Sequence, residues 1–172
     1  MNEKTRSLLA LLLALAITSL LLFFSANIPK LDSLGYAGAF LISFFTSATV
    51  ILPVPGLAVV AAMGAFLNPV LIGILGGLGS ALGELTGYLA GYGGRGLAGN
   101  SSFVRVSKWV EKNGFLTIFL LALIPNPLFD IAGIAAGSLR YDWKKFLLAC
   151  ALGKILKFTL FAYLGNYGGM LI

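Results

Sequence analysis

Hydrophobic residues dominate the chain from Leu8 onward, and polar or proline-containing stretches divide them into five segments. Three of these segments are uninterrupted: residues 8–24, residues 70–92 and, approximately, residues 146–164. A helix needs about 20 apolar residues, each rising 1.5 Å, to cross ~30 Å of hydrocarbon. The pattern therefore predicts an all-α integral membrane protein in which these three segments cross the bilayer.

The other two segments are interrupted by prolines. Residues 36–67 are cut by LPVPG at Pro53 and Pro55, and residues 115–139 are cut by IPNP at Pro125 and Pro127. Proline ends a helix and biases the preceding residue away from helical angles. The pieces beyond the breaks are only about a dozen residues long, too short to cross a bilayer alone.

Positive charges indicate how the broken segments enter the membrane. Basic residues lie on both sides of the second broken segment: Arg95, Arg105, Lys108 and Lys112 before it, and Arg140, Lys144 and Lys145 after it. Because positive loops stay in the cytoplasm, that segment enters and leaves from the cytoplasmic side. Lys4 and Arg6 place the N-terminus in the cytoplasm, so residues 36–67 return to the outer side and the C-terminus lies outside. Both segments are predicted re-entrant hairpins, whose turns must be buried in protein or line a wet cavity.

The first segment has the features of an uncleaved anchor over residues 8–26. Residues 8–24, a 17-residue stretch, are long for the hydrophobic region of a cleaved signal peptide, and Phe24, not a small residue, stands three places before a cleavage after Ala26. Residues 101–113 have Phe103, Val106 and Val110 on one helical face, with basic residues elsewhere. They are interpreted as an interfacial helix that ends at Gly114, with a solvated linker helix as the alternative.

Similar short motifs recur in the two halves of the chain. The pairs are PVP at Pro53 with PNP at Pro125, AAMG at Ala61 with IAAG near Ala135, and YLAGYGG at Tyr88 with YLGNYGG at Tyr163. Their offsets are 72, about 73 and 75 residues. One membrane domain would thus hold an inverted repeat, residues 36–92 and 114–169, each a hairpin followed by a transmembrane helix.

Composition narrows the classes of function. The 172 residues are 59% hydrophobic and 10% charged, with a net charge of +6 spread along the loops. That distribution favours membrane orientation and anionic lipid over nucleic acid. The chain has no histidine and a single cysteine, Cys150, which excludes His-based catalysis and His-ligated metal sites within one chain. No cofactor motif is present, so no cofactor or metal is expected.

A carboxylate inside a predicted span is the main candidate for function. Glu84 lies beside a glycine stripe in which glycine recurs every fourth residue from Gly79 to Gly91, and Tyr88 follows one turn later. Such a stripe suits an intramolecular helix contact or a homodimer equally well. Intramembrane carboxylates are costly and mark functional sites by default, although a fixed ion pair with Lys154 or Lys157 is the structural alternative.

The remaining candidate residues have both a structural and a functional interpretation. Lys154 and Lys157 lie one turn apart on the last span, where they either snorkel to the interface or face the interior. Asn126 and Asp130 are expected first as helix caps. The helix N-termini after Pro55-Gly56 and Asn126-Pro127 also suit an anion such as phosphate. Arg140 and Lys144 orient the chain, snorkel or meet a lipid headgroup.

The stretches GELTGYLAGY (residues 83–92) and IPNPLFDIAGIAAGSLRYDWKKFLLACALGKILK (residues 124–157) resemble the DedA family of the VTT, or SNARE-associated Golgi protein, superfamily. The resemblance covers roughly residues 36–164. It implies two oppositely facing re-entrant hairpins related by a pseudo-twofold axis, and movement of lipids across bilayers. Glu84 falls on the acidic position of the family's G-D/E-x-x-G-Y pattern. The second pattern is matched by Pro125, Gly137, Lys144, Lys145, Phe146 and Gly153.

The chain also departs from the resembled family. Gly56 and Leu57 stand where members linked to undecaprenyl phosphate carry an acidic residue, and Ala122 and Leu128 stand where they carry arginines. Lys157 replaces a common tryptophan, and Cys150 replaces a common asparagine. Asp130 and Lys157 are candidates for supplying the replacement charges.

These observations predict a multi-pass lipid translocase of the cell membrane. Its substrate would be an anionic lipid, either a polyprenyl phosphate such as undecaprenyl phosphate or a phospholipid, with protons or sodium as the coupling ion. Two alternatives are an intramembrane enzyme acting on lipid phosphates through Asp130 and Glu84, and an assembly protein in which the repeat serves packing alone.

Overall fold

The computed structural model describes residues 32–48, 56–93, 101–126 and 128–169, and of these every regular element is a helix. In chain order they are α1 (Asp32–Ala48), α2 (Gly56–Gly64), α3 (Pro69–Gly83), α4 (Leu85–Tyr92), α5 (Ser101–Leu123), α6 (Leu128–Ser138) and α7 (Trp143–Gly169). The predicted anchor at residues 8–26 and the tip residues Pro53, Pro55 and Pro127 lie outside the described residues.

Short polar side chains begin two of the long helices. The Asn68 side chain accepts hydrogen bonds from the backbone N–H groups of Val70 and Leu71, and Pro69 occupies the first helical position. At the start of α7, Asp142 Oδ1 accepts from the N–H groups of Lys144 and Lys145 at 2.9 and 3.0 Å. Side-chain oxygens thus satisfy N–H groups that have no partner within the helix.

Two helices in the described part of the chain are long and apolar enough to cross a membrane. One runs over Pro69–Tyr92, joining α3 and α4 through Glu84, and the other is α7. They pack side by side in opposite directions, because Gly77 faces Ile155 and Gly73 faces Thr159. A Cβ atom on either glycine would overlap the α7 backbone, so the small residues permit this close approach.

The short helix α2 packs on α7, in the other half of the chain. Gly64 of α2 meets the backbone of Ala162, and Gly165 of α7 meets the carbonyl of Ala61. Asn166 Nδ2 also donates to the Gly64 carbonyl at 3.2 Å. The contact therefore depends on one glycine from each helix.

The short helix α6 makes the reciprocal contact with α4. Gly137 of α6 meets the carbonyl of Tyr88, and Gly91 of α4 meets the carbonyl of Ile134. Ser138 Oγ donates to the carbonyls of Gly91 and Ile134 at 3.3 and 2.9 Å. Each short helix thus packs on the long helix of the opposite half.

Helix α5 contains the predicted interfacial segment and continues beyond it. Its axis breaks at Asn113, which has the non-helical angles φ −148 and ψ 70, one residue before the predicted end at Gly114. Val106 and Val110 are buried as their spacing predicted, whereas the basic side chains of this segment, Arg105, Lys108 and Lys112, are exposed. Gly114 is buried, and a Cβ there would lie 2.5 Å from the Tyr141 ring.

Candidate functional site

The candidate site centres on an ion pair between the two long helices. Lys154 Nζ lies 2.5 Å from Glu84 Oε1, and the two residues are only 4% and 6% exposed. Glu84 occupies the joint between α3 and α4, and Lys154 lies near the middle of α7. Of the two partners that the sequence left open for Glu84, the structure selects Lys154, which is buried and does not snorkel.

Two serines complete the surroundings of the lysine. Lys154 Nζ donates to Ser80 Oγ of α3 at 2.7 Å and to Ser47 Oγ of α1 at 3.4 Å. The two serine hydroxyls are themselves 2.6 Å apart. The Phe129 ring of α6 lies on another side, with its centroid 4.9 Å from Nζ. The ammonium group is therefore contacted from α1, α3 and α6 in addition to its contact with Glu84.

This arrangement confines one positive and one negative charge to the protein interior. Removing two charges from water is expensive, and the direct contact with additional hydrogen bonds offsets much of that cost. Transfer of a proton from Lys154 to Glu84 would leave a neutral amine and a neutral acid in contact. The pair is therefore an ionisable site inside the protein.

Asp130 and Lys157 lie near the pair without being part of it. Asp130, in the first turn of α6, is exposed and interacts electrostatically with both lysines. Lys157 is half-buried one turn beyond Lys154 and interacts electrostatically with Glu84. The structure thus places Glu84, Asp130 and both lysines close enough to interact electrostatically.

The expected capping role is fulfilled by Asn126. Its Oδ1 accepts from the Leu128 N–H at 3.0 Å, at the start of α6, and its Nδ2 donates to the carbonyls of Leu121 and Ile124 near the end of α5. Pro125 is exposed in the link between these helices. In the first half of the chain, Gly56 begins α2 and is buried, and a Cβ there would overlap the Thr46 hydroxyl.

Tyr88, one turn after Glu84, and Arg140 make side-chain contacts that do not involve the ion pair. The Tyr88 hydroxyl donates to the Tyr141 carbonyl at 2.5 Å, and its ring stacks on Tyr92 with centroids 6.3 Å apart. The Arg140 guanidinium lies 5.2 Å from the Tyr92 ring centroid. Arg140 also has a positive φ of 52, rare for a residue with a side chain. These residues join α4 to the link between α6 and α7.

Sequence reasoning did not single out the serines of α1. Ser43 and Ser47 are one turn apart in a mostly apolar helix, and that spacing was the available signal. Ser43 is fully buried, and its hydroxyl has no hydrogen-bond partner in the described part of the chain. Within the same residues, no group of three or more His, Cys, Asp or Glu side chains is placed to hold a metal ion.

Comparison with known protein families finds one that matches this chain. Residues 54–167 match the VTT domain, which is about two thirds of the chain. The chain belongs to the VTT domain family. The match includes the helix Pro69–Tyr92, all but the last two residues of α7, and the Glu84–Lys154 pair. It confirms the resemblance drawn from GELTGYLAGY and the IPNP stretch.

Individual relatives of this VTT protein occur in eukaryotes and bacteria. Vacuole membrane protein 1 of Homo sapiens is 47% identical over 49 residues, which are 28% of this chain and 12% of the human protein. Vacuole membrane protein KMS1 of Arabidopsis thaliana is 41% identical over 54 residues, 29% of this chain and 13% of that protein. The uncharacterized membrane protein YhjE of Bacillus subtilis is 32% identical over 78 residues, 43% of this chain and 38% of YhjE. The aligned segments thus cover well under half of each relative, and no solved structure matches the chain significantly.

Proposed function

We propose that this VTT-family protein is a scramblase-like lipid transporter of the DedA type. It would move an anionic lipid, either a polyprenyl phosphate such as undecaprenyl phosphate or a phospholipid, between the leaflets of a cell membrane. The observation that carries the proposal is the buried Glu84–Lys154 pair, because ionisable side chains inside transmembrane helices are rare and mark substrate or ion pathways.

We also propose that the fold is an inverted repeat of two re-entrant hairpins. Helices α2 and α6 contain 9 and 11 residues, so at 1.5 Å per residue they extend about 14 and 17 Å, well short of ~30 Å of hydrocarbon. The reciprocal packing of α2 on α7 and of α6 on α4 supports a pseudo-twofold relation between the halves. In this arrangement the N-terminus is cytoplasmic and the C-terminus is outside.

The proposed path places the lipid headgroup between the two hairpin tips. The N-termini of α2 and α6 follow those tips, and their helix dipoles and first-turn N–H groups would attract phosphate. At α6 one of these groups, the Leu128 N–H, is already bound by Asn126 Oδ1. Lys154 or Lys157 would supply the opposing charge. Glu84 or Asp130 would change protonation as the two halves rock, which allows coupling to protons or sodium.

A second candidate is a non-transporting membrane assembly protein in which the ion pair only holds the helices together. The hydrogen bonds of Lys154 favour this assembly role, because its ammonium group already has protein acceptors for its N–H donors. These acceptors are Glu84, both serine hydroxyls and the Ser80 carbonyl. A buried pair of this kind can confer packing specificity without any role in transport.

The proposal is tested by reconstituting the full chain into vesicles and measuring movement of a labelled lipid between leaflets. Labelled polyprenyl phosphate and labelled phospholipid are tested separately, over several pH values, with protein-free vesicles as the control. A transporter accelerates the exchange of at least one of these lipids. Equal rates with and without protein for both lipids would contradict transport and favour the assembly role.

A further inference from the structure

An open groove lies between α1, α3 and the first turns of α7, and none of its lining residues belongs to the ion pair. Its volume is about 540 Å³, within the ~300–1,000 Å³ range of ligand pockets. Phe40, Leu78, Leu82 and Leu148 line it, together with further leucine and alanine side chains. Its walls are therefore hydrocarbon over most of their extent.

One end of the groove carries a cation and an aromatic ring. Lys144 and Trp143 line that end, and Lys144 Nζ lies 5.8 Å from the centroid of the exposed Trp143 ring. Lys144 forms no salt bridge with any described residue, and only Asp142 opposes the exposed cations Arg140, Lys144 and Lys145. This stretch carries net positive charge where the sequence predicts the cytoplasmic interface. Tryptophan and lysine are typical of protein surfaces at headgroup level.

The apolar lining of the groove and the charge of Lys144 together suit an anionic lipid. Apart from Trp143 and Lys144, the lining offers only Phe, Leu and Ala side chains, which suit a hydrocarbon chain and cannot pair with polar groups. A lysine at the end of such a groove attracts the phosphate of an anionic lipid. Along α7 the lining residues extend from Trp143 to Ala151, a rise of about 12 Å at 1.5 Å per residue.

We propose that this groove binds one acyl chain of an anionic phospholipid whose phosphate lies against Lys144. Binding here requires no movement of lipid between leaflets, so the site goes beyond the proposed transport. The groove can therefore be tested independently of transport. It adds a lipid-binding site between α1, α3 and α7 whose lining includes none of the ion-pair residues.

The groove supplies its own fluorescent reporter. The chain has two tryptophans, so Trp109→Phe leaves Trp143 alone. This variant is reconstituted into phosphatidylcholine vesicles that contain a fixed fraction of phosphatidylglycerol, with bromine quenchers on the acyl chains of one lipid or the other. Phosphatidylglycerol should occupy sites next to Trp143 with roughly five-fold preference over phosphatidylcholine, the size expected for one lysine near the membrane surface.

Two further variants separate charge from shape, each made in the Trp109→Phe background. Lys144→Gln should abolish the preference, whereas Lys112→Gln, which removes an exposed cation on α5, should leave it unchanged. Ala151→Phe fills the inner end of the groove and retains every cation, and it should also reduce the preference. Equal quenching by both lipids, or a preference that survives Lys144→Gln, would overturn the proposal. Quenching by neither lipid would also overturn it, because residues 1–31 or a second copy of the chain would then cover the groove.

Discussion

Lys154 Nζ and Glu84 Oε1 lie 2.5 Å apart although their residues are separated by 70 positions in the chain. The contact joins the long helices of the two halves in a buried environment. Removing either partner leaves an uncompensated charge in the protein interior, whereas removing both does not.

Variants that lose one charge of the pair should therefore be less stable than the variant that loses both. We expect Glu84→Gln or Lys154→Gln alone to lower the free energy of unfolding by about 3–5 kcal/mol, and the double variant to recover much of that loss. Chemical denaturation in mixed micelles measures these values. The double variant Glu111→Gln/Lys112→Gln, at exposed positions on α5, is the matched control and should stay near wild type. If the single variants behaved like this control, the pair would not be energetically significant.

The reciprocal glycine contacts predict a second difference in stability. A Cβ at Gly64 or Gly137 would overlap the backbone of α7 or α4, respectively, so alanine at either position should destabilise the fold by about 1–3 kcal/mol. A Cβ at Gly38 has no neighbour within 4 Å, and Gly38→Ala should be neutral or stabilising by up to ~1 kcal/mol. The same denaturation measurement compares the three variants. Tolerance of alanine at both buried positions would show that α2 and α6 do not pack as described.

The sequence predicts elements well where the pattern is local. The two long helices, the proline-broken segments and the capping role of Asn126 all follow from apolar length, proline chemistry and short polar side chains. The glycine stripe also predicts close packing, and Gly79, Gly83 and Gly91 each meet another helix. Gly87 is the exception, since a Cβ there has no neighbour within 4 Å.

The candidate site was less predictable because it depends on contacts between distant segments. Lys154 and Lys157 are equivalent by composition, and only the rotation of α7 against α3 decides which one meets Glu84. Ser47 joins the site because α1 packs against α3, a relation that a single sequence does not contain. The motif repeat suggested that the halves are related, but it did not specify which side chains meet.

Asp142 predicts a pH-dependent contribution to stability. Hydrogen bonds from the backbone N–H groups of Lys145 and Lys144 hold the pKa of its carboxyl below the usual aspartate value of about 3.9. Because the folded-state pKa is the lower one, the ionised carboxylate stabilises the fold above about pH 4, and this contribution is lost as the pH falls through the folded-state pKa.

Asp142→Ala should accordingly lower the thermal unfolding midpoint at pH 6 and have a smaller effect at pH 3. Asp142→Asn retains an oxygen that can accept from the same N–H groups, so at pH 6 it should be less harmful than alanine. An alanine effect of equal size at both pH values would exclude an ionised cap.

The backbone conformation of Arg140 should affect stability independently of its side chain. With a φ of 52, the residue pays the steric cost of a left-handed conformation, which glycine avoids. Arg140→Gly and Arg140→Ala both remove the cation from the Tyr92 ring, but the glycine variant should be more stable than the alanine variant by about 1 kcal/mol. Denaturant titration compares the two. Greater stability of the alanine variant would argue against the left-handed conformation.

The most direct test of the account is lipid movement by the double variant Glu84→Gln/Lys154→Gln, which lacks both charges without leaving one unpaired. It is reconstituted beside wild type and the Glu111→Gln/Lys112→Gln control, after its fold has been verified by circular dichroism. The account predicts that the folded double variant moves labelled anionic lipid between leaflets at least roughly ten-fold more slowly than wild type, a rise of ~1.4 kcal/mol in the barrier. Movement at the wild-type rate by the folded double variant would contradict a role of the pair in transport.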